Sequence, residues 1–171
     1  MTETSSVTRE DLLRELRDSG ERVASTVRGL PETALEAGVY ESGWSGREVL
    51  AHIAAMEWAY PKLVDQAQAV RDDPGAAAEM ERPPTDEEQE RLNSYNQRRV
   101  DKLADRSVAQ LLEEFERNRA ATIARIEGMD NDLLALPVRP ATGHAGPLGE
   151  VMRYVAVEHV LTHLSDLTGV N

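Results

Sequence analysis

The chain carries four histidines, His52, His144, His159 and His163, and neutral imidazole is a common protein ligand for divalent transition metals. His159 and His163 are four residues apart. On a helix that spacing is one turn plus a small rotation, so both rings leave one face and can meet a single ion. A helical wheel groups them with Leu148, Met152, Val155 and Ala156 and turns Arg153 and Glu158 elsewhere, which predicts an inward-facing pair. His52 falls on an apolar stripe with Val49, Met56, Tyr60 and Leu63, near the edge that Glu48 occupies. It lies about 10 Å along its helix from Ser45, and the middle of the His159/His163 pair is a similar distance from the end of the last helix. If those helices pack antiparallel, the three rings meet at one level.

Three imidazoles with a coordination position left to solvent describe an open Zn²⁺ site, and Ni²⁺, Co²⁺, Mn²⁺ or Fe²⁺ accept the same ligands. The competing reading is of ordinary helix histidines satisfied by carboxylates or backbone. His144 lies in the connection Thr142-Gly143-His144-Ala145-Gly146, where it touches a substrate or simply faces solvent. Glu48, Glu57 and Glu158 are the carboxylates expected to orient ligating imidazoles, or else solvated helix residues. Trp44 walls the pocket or packs at a helix mouth. Asn96, Arg99, Asn118 and Arg119 border the bundle; of the last two, one is expected to point inward near Phe115 and Thr122, the other outward. There is no cysteine, so any thiol chemistry needs a thiol from outside.

The elements that must position these groups are helical. Apolar residues at steps of three and four, Leu12, Leu13, Leu16, Val23 and Val27, predict a first helix over 8–28, with Thr8 and Asp11 at its start. Leu30-Pro31 ends it, and Gly38 and Gly43 suit a turn. Ser45 and Glu48 form a capping box for a second helix reaching about Val70, bent at Pro61. Residues 72–84 read as a crossover loop. Thr85/Glu88 and Ser107/Gln110 cap two further helices, reaching about Asp105 and Gly128. Pro147 is expected at the first position of a last helix that runs to about Leu167, before Gly169. The sum is an all-α chain: a four-helix bundle with one long crossover and an additional helix, occupying residues 1–171 as a single domain.

Composition agrees. One Phe, two Trp and four Tyr favour helix packing over sheet. Nineteen basic against 31 acidic residues, a formal charge of −12, oppose approach to nucleic acid or anionic lipid. The first thirty residues hold no apolar run of signal-peptide length, and no later stretch reaches about 18 apolar residues. These features predict a cytoplasmic protein with no nucleic-acid or membrane partner; the expected small-molecule substrate follows from the open metal site instead.

The run Gly43-Trp44-Ser45-Gly46-Arg47-Glu48-Val49-Leu50-Ala51-His52, joined to the terminal Glu158-His159-x-x-x-His163, resembles the DinB/YfiT-like superfamily. It is also similar to the N-terminal domains of mycothiol-dependent maleylpyruvate isomerases. The resemblance spans nearly the whole chain. It implies an up-down-down-up four-helix bundle, frequently a homodimer, with metal ligands at His52, His159 and His163. Some relatives place Glu where this chain has His159, so the all-histidine set departs from the isomerase-like branch. The implied cofactors are one divalent ion, Zn²⁺ or Ni²⁺, and an exogenous low-molecular-weight thiol. The implied activity is thiol transfer to a small electrophile, hydrolysis if water takes the open position, or metal binding without catalysis.

Overall fold

The computed structural model describes residues 6–36 and 43–168; the expected turn and stop glycines Gly38 and Gly169 lie outside them. The first helix, α1 (Arg9–Gly29), starts where the Thr8 hydroxyl accepts from the Asp11 N–H, and it buries the predicted stripe of Leu12, Leu13, Leu16, Val23 and Val27. Beyond Pro31, where only a turn was expected, a short α2 (Glu32–Glu36) buries Leu35. The Leu35 backbone lies so close to Gly46 that a Cβ there would meet its carbonyl at 3.0 Å, so any larger residue would have to push α2 back by a few tenths of an ångström.

The expected bent second helix is two helices, α3 (Gly46–Glu57) and α4 (Pro61–Asp72). Pro61 cannot donate to the carbonyl a turn behind it and its ring crowds that carbonyl. The turn bonds from Ala59 N–H to Met56 O and from Tyr60 N–H to Glu57 O therefore replace the ladder. The capping box expected at Ser45 is only half made. Its hydroxyl accepts from the Glu48 N–H, but the Glu48 carboxylate faces that hydroxyl rather than the Ser45 N–H.

The crossover is more ordered than a loop, with a 3₁₀ turn at Pro74–Ala76 followed by α5 (Ala77–Glu81). The helices α6 (Asp86–Leu103) and α7 (Val108–Glu127) both start from complete reciprocal capping boxes. A 3₁₀ turn at Asn131–Ala135 leads to β1 (Pro137–Val138), which pairs antiparallel with β2 (Gly146–Pro147). Pro147 thus sits in this small pairing, just outside the last helix. That helix comprises α8 (Leu148–Arg153), a π-helical turn at Tyr154–Glu158, and α9 (His159–Thr168). The all-α expectation holds, with more helical segments than the four core members and one extra.

Contacts along the long helices give their directions. Arg28 pairs with Glu116 at 2.8 Å and Arg17 with Glu127, so α1 and α7 run antiparallel. Arg47 donates to the Arg106 carbonyl and Asn118 to that of Ala54, so α3 and α7 run parallel. Gly46 lies against Leu167 and Tyr60 bonds the Val155 carbonyl, so α3 opposes the last helix. No described helix is long and apolar enough to cross a membrane.

Two apolar clusters fill the interior, one around Leu50, Ile53, Leu111 and Phe115, the other around Leu16, Leu63, Ile126 and Met152. Arg119, 4 % exposed, lies where residues of both meet and pairs with Glu57, which is 0 % exposed. Of Asn118 and Arg119, the charged member is the one fully buried, while Asn118 is half-buried. Burial pushes the Glu57 carboxyl upward and the adjacent guanidinium opposes that push. Removing one partner of such a pair strands a buried charge. Glu57→Ala is expected to lower unfolding free energy by about 3–5 kcal/mol in urea titrations, and the double variant Glu57→Leu/Arg119→Met to lose less than that.

Candidate metal centre

His52 stands in the second turn of α3, behind the Ser45 cap, while His159 and His163 occupy successive turns of α9. Their ring centroids are 6.1 Å (His52–His159), 5.1 Å (His52–His163) and 4.5 Å (His159–His163) apart. One nitrogen from each ring can be chosen so that all lie within 4.8 Å of one another, a group that could hold a metal ion. The Nε2 atoms of His159 and His163 are 2.7 Å apart. Tetrahedral ligands at zinc–nitrogen distances of about 2.0–2.1 Å sit about 3.3 Å from one another. The observed separations bracket that value, so small ring rotations bring the donor set to a zinc-like sphere. The antiparallel course of α3 and the last helix brings the three rings to one level.

The rings are unequally buried: His52 is buried, His159 and His163 half-buried. An uninterrupted α-helix would have put the pair in the middle of the stripe begun by Leu148, Met152 and Val155. The π turn inserts one residue's worth of rotation, and the buried stripe beyond it becomes Val157, Val160, Leu164 and Leu167. The pair is therefore displaced to the stripe's edge, half-open rather than inward-facing as the wheel predicted.

Burial, with the nearby His163 and His159 rings, holds His52 down at about 3, against the ordinary 6.5. Burial and His163 hold His159 at about 4. His163 is lowered by burial while Asp166 pulls it the other way. All three rings are neutral at pH 7, the form that ligates metal.

The carboxylates expected to orient these rings do other work. Glu57 pairs with Arg119, Glu48 faces Ser45, and Glu158 is exposed. The carboxylate beside the site is Asp166, 3.6 Å from a His163 Nδ1 that is buried without a hydrogen-bond partner. Its i,i+3 spacing from His163 was the available signal. Trp44 does flank the site, 4.8 Å from His52 and donating to Gln97. His144 stays apart, exposed and stacked on Tyr154 at 4.5 Å.

Beside His52 opens a cavity of about 280 Å³, walled by Trp58, Tyr60, Tyr95, Asn96, Arg99 and Thr142 among others. Asn96 and Arg99, expected only to border the bundle, are part of this cavity's wall. Among the described residues no carboxylate lines this cavity, although the chain is strongly acidic. Lys62 Nζ lies 3.7 Å over the Trp58 ring and the Arg99 guanidinium 5.2 Å from it. Among the described residues, neither cation is ion-paired with a carboxylate. The Thr142 hydroxyl is buried with no partner.

A helical bundle with three convergent imidazoles beside a cavity defines the class. A family model, the mycothiol maleylpyruvate isomerase N-terminal domain, matches residues 16–168. The chain belongs to that DinB/YfiT-like family. Its fold is similar to the crystal structure of the mycothiol-dependent maleylpyruvate isomerase, with a TM-score of 0.71 and 17% identity over 98% of this chain. The H52A mutant of that isomerase gives 0.70 and 18%, again over 98% of this chain. This chain spans 63% of the length of each isomerase chain. The colibactin self-resistance protein ClbS, crystallised with double-stranded DNA, gives 0.61 at 13% identity, covering 96% of this chain and 98% of that one. No curated protein matches the sequence.

The lowered histidines tie stability to pH. Below about 6.5 the unfolded chain takes up protons at these positions that the folded chain refuses until about 4. Stability of the metal-free protein is therefore expected to fall as pH drops through that window. Thermal denaturation between pH 7 and pH 5 reads the loss, and metal-free His52→Gln should lose less than the parent; equal losses would contradict the assignment.

Proposed function

We propose that this chain is a single domain, an up-down-down-up four-helix bundle in topology, that binds one divalent ion through His52, His159 and His163. In our reading it activates an exogenous low-molecular-weight thiol for transfer to a small electrophile. The observation that carries this is the convergence of three neutral imidazoles at the edge of a cavity walled by His52. Zn²⁺ or Ni²⁺ suits the donors, and such an ion when bound supplies Lewis-acid activation at neutral pH. The chain has no cysteine of its own, so the thiol comes from outside, in keeping with the mycothiol dependence of the isomerase it resembles in fold.

The chain's own side chains narrow the electrophile. Arg99 and Lys62, held against Trp58 and Tyr95 and free of carboxylate neighbours in the cavity, favour a small anionic and flat molecule. The cavity also favours catalysis over a purely structural ion, because an ion that only braces a bundle needs no adjoining chamber.

Purification without affinity tag or chelator followed by elemental analysis is expected to find about one divalent ion per chain. Metal-loaded protein, metal-free protein and His159→Ala are then compared with a panel of biological thiols and of acidic and neutral electrophiles. The loaded protein should form thiol adducts, most readily with acidic electrophiles, and His159→Ala should lose metal affinity and turnover together. Product without thiol incorporation would move the assignment to hydrolysis, and bound metal with neither reaction to a noncatalytic metal-binding bundle.

A two-chain assembly belongs to the same proposal, on the strength of the family resemblance. Light scattering across a concentration series is expected to give a two-chain mass, and a one-chain mass at high concentration would refute it.

A further inference from the structure

The π turn that displaces His159 and His163 does not stand on its own backbone bonds alone. The His159 N–H reaches back to the Tyr154 carbonyl, five residues away. In an α-helix it would have met the Val155 carbonyl. Val155 is buried, and a buried carbonyl left without a donor costs about 1–3 kcal/mol. The Tyr60 hydroxyl donates to that carbonyl at 2.7 Å. One residue on, Arg119 Nη2 donates to the Ala156 carbonyl at 2.7 Å. Two side chains, one from the α3–α4 break and one from α7, thus hydrogen-bond consecutive carbonyls of the turn.

We infer that Tyr60 and Arg119 are positioning residues that hold the π turn and thereby set the rotation of the His159/His163 pair toward His52. The inference rests on the metal reading above and adds to it the device that presents two of the three ligands. Closing the π turn into a regular helix removes one residue of rotation, about 100°. It would carry both histidines from the edge of the buried stripe to its middle, where Val160 and Leu164 now pack. Tyr60 is itself fixed at the α3–α4 break, immediately before Pro61, and its ring walls the cavity beside His52. One side chain therefore joins the cavity, the helix break and the ligand-bearing turn.

Co²⁺ is the probe, added to the full chain, to Tyr60→Phe and to Arg119→Lys. Tyr60→Phe keeps the ring and deletes one hydrogen bond. It is expected to bind Co²⁺ about tenfold more weakly, as when a partner that orients a ligand is lost, with an altered visible absorption spectrum. Its amide exchange should quicken at His159 and Val160 but not at Leu111 or Phe115. Arg119→Lys should shift the same readouts in the same direction. Val108→Ala, a destabilising change remote from the turn, should lower the melting temperature and leave the Co²⁺ spectrum unchanged. Wild-type affinity and spectrum in Tyr60→Phe would overturn the inference whatever its stability. If the parent chain takes no Co²⁺, the metal reading fails, and exchange in the metal-free protein decides the inference: selective quickening at His159 and Val160 upholds the clamp, and parent-like exchange overturns it.

Discussion

The structure turns on one guanidinium. Arg119 has five N–H groups and each has an acceptor: the two Glu57 carboxylate oxygens, the Leu16 carbonyl, the Ser19 hydroxyl and the Ala156 carbonyl. Those acceptors belong to α3, α1 and the π turn, and the donor to α7, so one side chain joins α1, α3, α7 and the last helix. A buried charge tolerates no vacancy in its hydrogen bonds, because the low-dielectric interior makes an unmet donor costly. Apolar packing alone would let a helix slide or rotate at small cost. A fully satisfied guanidinium instead ties α7 and its three neighbours to one relative arrangement. Close approach of α1 is part of the same constraint, since a Cβ on Gly20 would meet the Arg119 chain at 3.3 Å.

The site depends on that arrangement in two ways. The break between α3 and α4 lets Glu57 end one helix against Arg119 while Tyr60 turns its hydroxyl to the last helix. The π turn then shifts His159 and His163 off the centre of the apolar stripe. A histidine pair packed in mid-stripe would be buried and closed. At the edge, the same pair meets His52 on one side while keeping an unburied face. Neutrality follows from the same burial, which disfavours the imidazolium form at all three positions. The acid excess of the chain lies away from the cavity, whose charged walls are cationic.

Much of this was legible in the order of residues. Helix starts at Thr8, Thr85 and Ser107 could be read because capping is local: a hydroxyl reaches a backbone N–H three residues away. The all-α class, the apolar stripe of α1 and the pairing of His159 with His163 followed from periodicity, also a local property. Even the meeting of His52 with that pair could be anticipated from height along two helices. The short α2 and the ordered crossover could not, because segments of five residues owe their helicity to what they pack against. The role of Glu57 was misjudged for a related reason. A glutamate near the end of a helix looks like many solvated ones until a partner 62 residues away is brought beside it.

By itself, then, the sequence determined the course of the long helices, that three imidazoles could share one level, and that any reactive thiol must come from outside this chain. Tertiary structure alone decided the rotation of those imidazoles and the charge of the chamber beside them. The reason is physical. Helical periodicity propagates from residue to neighbouring residue, whereas the π turn lies where Tyr60 and Arg119 arrive from other elements to hydrogen-bond its Val155 and Ala156 carbonyls. Arg99 and Lys62 likewise become cavity cations only when α6 and α4 close around Trp58.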